Sequence, residues 1–404
     1  MKIKDIVLRQ IYDSRGEETL EVDLVTGAGD SFWAQIPSGK SRGKNEASVL
    51  NFKQAQRVYK ELLEKDLIGK EFDSIKKLDK FLISWDDTKN KGKLGGNLTL
   101  GISVAFARAL AFEKGMELWK LLGIEFFGGE DFDKAPMIFS NLINGGAHAE
   151  NNLDIQEYMV VAGNSGKVKD SVKRLVQFYK KLEDYLKENH SVTGSRGKLA
   201  IGDEGGFSVN FKNNFEPVEI LENLIRKLEV EKWFVLGLDV AASNFYKKGK
   251  YLFDGKEISA DELKDIYLNY FKRSKFLYSI EDPFAEEDFG GFKKLAGEIG
   301  ENKIIVGDDL TVTNPVLINK FAKEGLINCV IIKPNQIGTV METCEAMLAA
   351  KKNKIGIIVS HRSGETNDNF IIHLARAGGA DGVKIGAPVR ERMGKFNELM
   401  RIYE

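Results

Sequence analysis

Six polar residues in the C-terminal two-thirds of the chain each end a short apolar run. Three are acids, at the ends of FVLGLD, FLYSIE and IIVGD: Asp239, Glu281 and Asp308. The other three end CVIIK, DGVK and GIIVSH: Lys333, Lys384 and His361. Apolar runs this short and rich in β-branched residues are typical of strands buried on both faces. Because lysine is rarely buried without a partner, we expect these side chains to face one shared polar pocket.

The three acids predict a metal site. Carboxylates brought together at successive strand ends repel one another unless a cation lies among them. A donor set made only of oxygen, without cysteines or a histidine cluster, selects a hard ion, and Mg²⁺ is the best match. We therefore predict that Asp239, Glu281 and Asp308 bind Mg²⁺. For any one acid alone, a helix cap or a surface ion pair is the alternative.

The cationic residues of the pocket suggest a base and an anion-binding group. Beside a metal ion and a second lysine, Lys333 or Lys384 has its neutral form favoured, and a neutral amine can abstract a proton. Salt bridges from both lysines to the acids are the alternative. Arg362 and Ser363, which follow His361, offer a guanidinium fork and a hydroxyl suited to a phosphate or a carboxylate.

Two glycine-rich stretches carry further candidates. AIGDEGGFS places Asp203 and Glu204 at an expected strand exit. LINGGAHAENNLDIQEYM places His148 in a glycine loop, with Gln156 and Glu157 at the end of an apolar stretch. Paired glycines let the backbone approach a ligand or let a loop close, and a plain tight turn is the alternative.

The stretch PSGKSRGK in the N-terminal part does not meet the phosphate-loop pattern GxxxxGK[ST]. A lid that reaches over the pocket, with the hydroxyl of Ser41 among small residues, explains it better. Together the candidates supply metal-binding acids, a lysine base, an acid on another element and cations for an anionic substrate. This set suits abstraction of a proton next to a carboxylate, with a metal ion stabilising the enediolate.

The elements that must position these residues change in character along the chain. KIKDIVLRQIYDS, ETLEVDLVTGAG and DSFWAQIPSG predict an antiparallel meander, because each is rich in β-forming residues and ends in a turn. SVLNFKQAQRVYKELLEKDLIG and NLTLGISVAFARALAFEKGMELWKLLG carry apolar residues at helical spacing. After the connector FFGGEDFDKAP the pattern differs, so we divide the chain into an N-terminal α+β domain, 1–132, and a second domain, 133–404.

In the second domain, apolar runs recur at about the spacing of a strand, a helix and two loops, roughly 25 to 40 residues. Helix starts lie between them: Asn314 with Pro315 predicts an N-cap and first turn, and Thr339 with Glu342 fits a capping box. Alternating strands and helices over this length predict a (β/α) barrel. The carboxyl ends of its strands form the mouth where ligands bind, which is where the polar residues lie.

Composition excludes several classes of protein. Among 404 residues, 59 Lys and Arg balance 60 Asp and Glu, which argues against nucleic acid or an anionic membrane as the main partner. The start MKIKDIVLRQIYDSRG lacks the apolar stretch of a signal peptide, and no window reaches membrane-spanning length. The only cysteines, Cys329 and Cys344, lack metal-like spacing and indicate a reducing compartment. We expect a cytoplasmic, soluble protein.

With these residues assigned, the sequence resembles the enolase family over both domains. The matching stretches keep the family order: YDSRG, GGAHAENNLDIQEYM, GDEGGF, LDVAAS, SIEDPF, GDDLTVTNP, IKPNQIGT, SHRSGET and GAPVRER. The resemblance implies a variant (β/α)8 TIM-type barrel capped by the N-terminal α+β domain, its first units departing from plain βα order. It also implies a lyase that interconverts 2-phosphoglycerate and phosphoenolpyruvate in glycolysis and gluconeogenesis, with two Mg²⁺ ions, and a homodimer or homo-octamer.

The resemblance also implies roles for individual residues. Lys333 matches the base that takes the C2 proton, and Glu204, assisted by Glu157, matches the acid that helps the C3 hydroxyl leave. Residues that match or adjoin the substrate contacts are His148, Gln156, His361, Arg362, Ser363 and Lys384. The matches to metal ligands are Asp239, Glu281 and Asp308 for the tightly bound ion, and Ser41 for the ion that arrives with substrate.

A few positions depart from the family pattern. Glu17 and Glu18 follow YDSRG where Asn-Pro is usual, Asn244 replaces a glutamate after AAS, and GAPVRER is one residue short. The lid reads SGKSRG in place of SGAST, which adds Lys40 and Arg42 beside the mouth. The alternatives are a related enzyme that acts on another carboxylate and a binding or scaffold protein descended from an enzyme. Every catalytic match is present, which disfavours the scaffold.

Overall fold

The structure is a computed structural model that describes residues 1–40, 43–130, 132–163, 166–190 and 199–404. In chain order the strands are β1 (Ile3–Tyr12), β2 (Glu18–Thr26), β3 (Ser31–Gln35), β4 (Met137–Asn144), β5 (Glu157–Ala162), β6 (Ala200–Ile201), β7 (Phe207–Ser208), β8 (Phe234–Asp239), β9 (Tyr246–Lys247), β10 (Lys250–Phe253), β11 (Lys256–Ile258), β12 (Leu277–Glu281), β13 (Ile304–Gly307), β14 (Cys329–Ile332), β15 (Gly356–Ser360) and β16 (Gly382–Lys384).

The α-helices alternate with these strands in the second half of the chain. They are α1 (Phe52–Val58), α2 (Glu64–Leu67), α3 (Ile75–Asp86), α4 (Gly96–Glu113), α5 (Leu118–Phe126), α6 (Val168–Asn189), α7 (Glu216–Lys227), α8 (Ala260–Arg273), α9 (Phe289–Glu298), α10 (Pro315–Lys323), α11 (Pro334–Ile337), α12 (Val340–Lys352), α13 (Phe370–Gly378) and α14 (Arg392–Tyr403). A π-helical turn, Tyr59–Leu63, joins α1 to α2.

The N-terminal strands form the predicted antiparallel meander, in the order β1-β2-β3. Because side chains alternate between the faces of a strand, Leu20, Val22 and Leu24 of β2 share one buried face. Helix α4 packs on that face at close range: a Cβ added to Gly101 would lie 2.3 Å from Cγ2 of Val22. The meander therefore buries its apolar face against a helix of its own domain.

Helix α4 also joins the N-terminal domain to the barrel. It is buried around nearly its whole circumference, as expected for a helix that is apolar on every face. On the side away from the meander, the hydroxyl of Thr99 donates to the carbonyl of Gly338 at 2.7 Å, and the backbone N–H of Val340 donates to the hydroxyl of Ser103 at 3.1 Å. The N-terminal domain is thus docked against the loop that carries Lys333.

Eight of the strands close into a barrel, in the order β4-β5-β8-β12-β13-β14-β15-β16, and β16 pairs with β4. The pairings are parallel except on the two sides of β5, which runs antiparallel to β4 and to β8. This reversed strand is the departure from plain βα order that the resemblance implies. It has a consequence for the mouth, because the beginning of β5 lies beside the ends of its neighbours.

The helix starts follow the capping residues that the sequence predicts. The side chain of Asn314 accepts from the backbone N–H groups of Val316 and Leu317, and Pro315 opens α10. Thr339 caps α12 by accepting from the N–H of Glu342. The Glu342 carboxylate does not complete the box through the Thr339 backbone: it accepts from the Thr339 hydroxyl and binds Lys91 instead.

The predicted fold class, a variant (β/α)8 barrel with an N-terminal α+β domain, is confirmed. The segment between α5 and β4 contains the predicted domain boundary, and the division at 132 and 133 stays a prediction. Within the described ranges, none of the helices combines the length and the apolar character needed to cross a bilayer.

Candidate active site

The barrel brings the predicted strand-end residues to one mouth. Asp239, Glu281 and Lys384 are the last residues of β8, β12 and β16, and the pairing register places Glu281 directly beside Asp239. Asp308, Lys333 and His361 each follow immediately on the last residue of their strand. One polar pocket is lined by His148, Gln156, Glu157, Glu204, Asp239, Asp308, Lys333, His361, Arg362, Ser363 and Lys384.

Lys384 lies among three buried carboxylates. Its Nζ is 2.8 Å from Oδ2 of Asp239, 2.9 Å from Oε2 of Glu281 and 3.2 Å from Oε2 of Glu157. Burial alone would lower the pKa of Lys384, but these carboxylates outweigh it and raise that pKa well above its ordinary value. Burial and the charge of Asp239 raise the pKa of Glu281 well above its ordinary value, even with the lysine present.

Lys333 is paired with Asp308. Its Nζ binds Oδ2 of Asp308, and Gln336 donates from Nε2 to the other oxygen at 3.0 Å. Burial alone would lower the pKa of Lys333. The Asp308 carboxylate raises it, and the net shift is upward, so this arrangement favours the charged ammonium form. Arg362 and Lys384 act in the opposite sense and lower the pKa. The protonation of Lys333 therefore depends on its contact with Asp308.

Glu204 lines the same pocket as Lys333 and lies in the turn between β6 and β7. Asn141 of β4 donates from Nδ2 to its Oε2 at 3.1 Å. His361 lies 3.6 Å and His148 3.7 Å from its carboxylate oxygens. Burial lowers the pKa of His361 to about 4 and also lowers that of His148, so near neutral pH both imidazoles are uncharged.

Glu157 and Glu204 form a buried carboxyl pair, and Glu157 is the member that holds a proton more readily. Burial, followed by the negative charge of Glu204, raises its pKa well above the ordinary value of a glutamate. Both side chains are almost completely buried, and His148 is within 3.8 Å of each. Two buried carboxyl groups in such proximity ionise one at a time, so the pair can hold one proton at neutral pH.

Two pairs of site residues reach the mouth in ways that the sequence pattern does not specify. Gln156 precedes β5 and Glu157 begins it, and they lie at the mouth because β5 runs antiparallel to its neighbours. Asp203 and Glu204 do lie at a strand exit, because they follow β6, but β6 is not one of the eight strands that close the barrel. They lie in the turn of the hairpin β6–β7, which is attached to the edge of β4 through the pairing of Ile143 with Phe207.

The segment that carries Arg362 and Ser363 is held on both sides. From the N-terminal domain, the backbone N–H of Lys40 donates to Oγ of Ser363 at 2.9 Å, and Ser38 forms a β-bridge with Gly364. From α14, the fully buried Arg392 donates to the carbonyls of Arg362 and Ser363 at 3.2 and 2.9 Å. The backbone around the anion-binding candidates is thus fixed by both domains.

Gln156 contacts one of the positions that depart from the family. Its Oε1 accepts from Nδ2 of Asn244 at 3.3 Å, and its backbone N–H donates to the carbonyl of Asp239 at 3.1 Å. The predicted lid residues Ser41 and Arg42 lie outside the described residues. Lys40 is described, and its Nζ lies 3.1 Å from Oδ2 of Asp203, in the same turn as Glu204.

The acidic residues at the mouth suit a hard divalent cation. Among the described residues, carboxylate and imidazole atoms within 4.8 Å of one another form two groups, His148 with Glu157 and Glu204, and Asp282 with Asp308 and Asp309. The predicted ligands Asp239, Glu281 and Asp308 do not form such a group. Lys384 contacts Asp239 and Glu281, and Lys333 contacts Asp308, so lysine side chains lie beside all three acids. Burial and then repulsion from Asp239 raise the pKa of Glu281, and a bound cation would relieve this repulsion.

Several residues of the site were not identified from the sequence. Asn141 binds Glu204, Gln336 binds Asp308, and Asp282 accepts from the backbone N–H groups of Asp308 and Asp309 at 3.0 and 2.7 Å. Asp282 has a φ of 39°, a strained conformation for a residue with a side chain. Gln336 and Asp282 lie inside the quoted motifs and Asn141 lies one residue before one of them. None of the three ends an apolar run, so the pattern of strand ends does not select them.

Comparisons with known proteins agree with this arrangement. The family model of the enolase N-terminal domain matches residues 3–122, and the family model of the enolase C-terminal TIM barrel domain matches residues 134–404. An enolase of Ehrlichia canis (strain Jake) is 40% identical over 414 residues, covering 99% of this chain and 96% of the relative. An enolase of Anaplasma marginale (strain St. Maries) is 39% identical over 418 residues, covering 100% and 94%. One of Ehrlichia ruminantium (strain Welgevonden) is 40% identical over 416 residues, covering 100% and 96%.

Proposed function

The chain belongs to the enolase family, and from that premise we propose that it catalyses the reversible dehydration of 2-phosphoglycerate to phosphoenolpyruvate. The observation that supports this most directly is the placement of Lys333 and Glu204 in the lining of one pocket, on separate elements. Removing the elements of water across a C–C bond needs a base at one carbon and an acid at the hydroxyl of the next. The two residues are suited to these two tasks.

We assign the first task, abstraction of the C2 proton, to Lys333. The C–H bond at C2 breaks, its proton goes to Nζ, and the electron pair is left on the carbon next to the carboxylate. For this Lys333 must be neutral. While it is bound to Asp308 its pKa is raised, but Arg362 and Lys384 lower it, so weakening the Asp308 contact favours the neutral amine.

We assign the second task to Glu204, with Glu157 as its partner. The electron pair at C2 forms the C2–C3 double bond while the C3–O bond breaks, and the departing hydroxyl takes a proton and leaves as water. The proton that the two carboxyl groups hold together supplies this need. Asn141 holds the Glu204 carboxylate by a hydrogen bond, and the imidazoles of His148 and His361 lie within 3.7 Å of it.

The remaining polar residues bind the anionic substrate. Arg362 and Ser363 offer a guanidinium fork and a hydroxyl for the phosphate. Lys384 can pair with the substrate carboxylate once its own partners are neutralised, and His148, Gln156 and His361 complete the substrate-facing wall. Lys384 is paired with Asp239 and Glu281 at the mouth, so pairing with the substrate carboxylate would exchange these partners for the substrate.

We propose two Mg²⁺ ions as cofactors, one tightly bound and one that arrives with substrate. Asp239, Glu281 and Asp308 would hold the first, and Ser41 would contact the second. When bound, Mg²⁺ neutralises the charge that develops on the substrate carboxylate and lowers the barrier to deprotonation at C2.

The wider assignments follow from the family. We propose that residues 1–132 and 133–404 are the two domains, and that the protein acts in the cytoplasm in glycolysis and gluconeogenesis. We expect a homodimer or a homo-octamer, with no nucleic acid or membrane as its main partner.

The test is to mix the purified protein with 2-phosphoglycerate and follow the ultraviolet absorbance of the enol product. We expect phosphoenolpyruvate to form with Mg²⁺ and to stop forming when a chelator is added. No product from well-folded protein would contradict the proposal. It would favour a related enzyme that acts on another carboxylate, and the altered lid with Lys40 and Arg42 would be examined first.

A further inference from the structure

The anion-binding candidate Arg362 is paired with a carboxylate from the N-terminal domain. Nη1 of Arg362 lies 3.2 Å from Oε2 of Glu46, and Nη2 lies 3.3 Å from Oε1. The two side chains are only 5% and 6% exposed, so water screens this pair weakly. A guanidinium that binds both oxygens of one carboxylate is fixed in its plane as well as in its position.

Glu46 is itself held rigidly. Its Oε1 accepts from the backbone N–H of Gly43 at 3.2 Å and from Nε2 of Gln336 at 3.4 Å. Gln336 follows closely on Lys333 and also binds Asp308, so the Glu46 carboxylate is tied to the part of the barrel mouth that carries the proposed base. A carboxylate with this many donors keeps one orientation and can impose it on its partner.

Other contacts agree with a guanidinium that must keep one orientation. Asn335 accepts from Nη1 at 3.3 Å and donates in turn to the carbonyl of Pro37. Gly39 packs so closely against the guanidinium that a Cβ at this position would lie 1.7 Å from Nη2. Any larger residue at 39 would displace the arginine fork.

Two other acids interact favourably with the same guanidinium. Burial lowers the pKa of Arg362, and the charges of Glu46, Asp308 and Asp309 raise it. Asp308 and Asp309 therefore compete with Glu46 for the arginine, and removing the Glu46 carboxylate removes the acid that binds it directly.

We propose that Glu46 is a positioning residue that orients the guanidinium of Arg362 for the phosphate of the substrate. The inference deepens the proposed function and rests on it, because it takes Arg362 as the phosphate-binding group. Glu46 acts only through Arg362 and takes no part in breaking or forming bonds.

A matched pair elsewhere separates positioning from simple docking of the domains. Lys91 of the N-terminal domain binds Glu342 of α12 at 2.7 Å, with side chains 5% and 18% exposed. Glu46→Gln and Glu342→Gln therefore make the same chemical change in largely buried ion pairs that join the same two domains. Only the first pair contains a residue of the proposed substrate site.

The experiment measures kcat, KM for 2-phosphoglycerate and the inhibition constant of inorganic phosphate for the wild type, Glu46→Gln, Glu46→Asp and Glu342→Gln. In Glu46→Gln we expect KM and the phosphate inhibition constant to rise about fivefold or more, with kcat at saturation within about threefold of the wild type. Glu46→Asp keeps the charge and should recover part of the affinity. Glu342→Gln should leave these constants unchanged while its thermal midpoint falls.

Three outcomes would overturn the inference: unchanged or tighter phosphate binding in Glu46→Gln, an equal loss of affinity in Glu342→Gln, or a fall in kcat with KM unchanged. Thermal midpoints and circular dichroism establish that each variant is folded. If the wild type fails to convert 2-phosphoglycerate, the proposed function fails. Direct calorimetric titration with inorganic phosphate then still compares the wild type with Glu46→Gln.

Discussion

Nζ of Lys384 lies 2.8 Å from Oδ2 of Asp239, although their strands, β16 and β8, are not neighbours in the barrel. The lysine reaches across the mouth and also contacts Glu281 and Glu157. A single ammonium group thus offsets part of the charge of three buried carboxylates. Two of the proposed metal ligands, Asp239 and Glu281, thus already bind a positively charged group, the ammonium of Lys384.

We predict that Lys384→Met destabilises the protein by about 3–5 kcal/mol in the absence of divalent cations, because it leaves buried carboxylates without a counter-charge. Mg²⁺ should restore much of the loss, since the same carboxylates then gain another cation. The free energy of unfolding from urea titrations, with and without Mg²⁺, measures both effects. The stabilisation by Mg²⁺ should be larger in the variant than in the wild type.

Lys395→Met is the control for this prediction. Lys395 is equally buried, donates to the carbonyl of Thr366 at 3.0 Å and lies 3.4 Å from Glu365, but none of the proposed metal ligands is among these partners. Its loss should also destabilise the protein, and Mg²⁺ should stabilise the variant no more than the wild type. Equal rescue of the two variants would show that Mg²⁺ acts elsewhere.

The proposed roles of Lys333 as base and Glu204 as acid can be distinguished by following the C2 proton. Lys333→Ala should lower turnover by about 10³-fold and abolish exchange of the C2 proton with deuterated solvent. Glu204→Gln should lower turnover similarly but leave the exchange, since the base is intact. Nuclear magnetic resonance of 2-phosphoglycerate in D₂O measures the exchange directly. The fold should survive both changes, because each side chain faces the pocket and not the packed core.

A Lys333→Ala variant with the activity of the wild type would remove Lys333 as the base. Loss of exchange in both variants would mean that Glu204 is needed for proton abstraction as well, and the proposed division of roles would be wrong.

The strand-end residues could be predicted from the sequence because a buried parallel strand has an unmistakable pattern. The apolar runs that end in Asp239, Glu281 and Lys384 form strands, and each strand ends at the same residue as its run. Lys333 follows β14 by one position, as its apolar run predicts. The carboxyl ends of parallel strands meet at one rim, so the convergence of these residues follows from the period of the pattern alone.

The reversed strand and the hairpin could not be predicted in this way. An apolar run has no direction, so the sequence does not show that β5 is antiparallel and presents Glu157 at its beginning. Strands β6 and β7 are two residues each, too short to show an alternating pattern, so the sequence does not show that Glu204 lies in a hairpin turn outside the closed barrel. The contact between Glu46 and Arg362 joins segments more than 300 positions apart, as only the docking of the two domains can do.

The proposed metal ligands predict a specific change in cofactor dependence. Asp308→Asn should raise the Mg²⁺ concentration needed for half-maximal activity by roughly tenfold or more, because a neutral amide is a poorer ligand for a hard cation. Asp381→Asn is the control: Asp381 accepts from the backbone N–H of Ile357 at the opposite end of the barrel. It should leave the Mg²⁺ titration unchanged. A titration of Asp308→Asn that matches the wild type would refute the ligand assignment.

Glu398 predicts a pH-dependent contribution to stability away from the mouth. His373 lies 2.8 Å and Arg401 2.7 Å from it, and these partners lower its pKa to about 2 against the effect of burial. A lowered pKa in the folded state stabilises the protein above the ordinary glutamate pKa of about 4.3, and this is lost as pH falls towards 2. Glu398→Gln should therefore cost about 1 kcal/mol at both pH 7 and pH 5, because solvent screens these ion pairs, and progressively less at pH 4 and pH 3. Urea unfolding of both proteins at pH 7, 5, 4 and 3 measures the difference, and a constant difference would contradict the prediction.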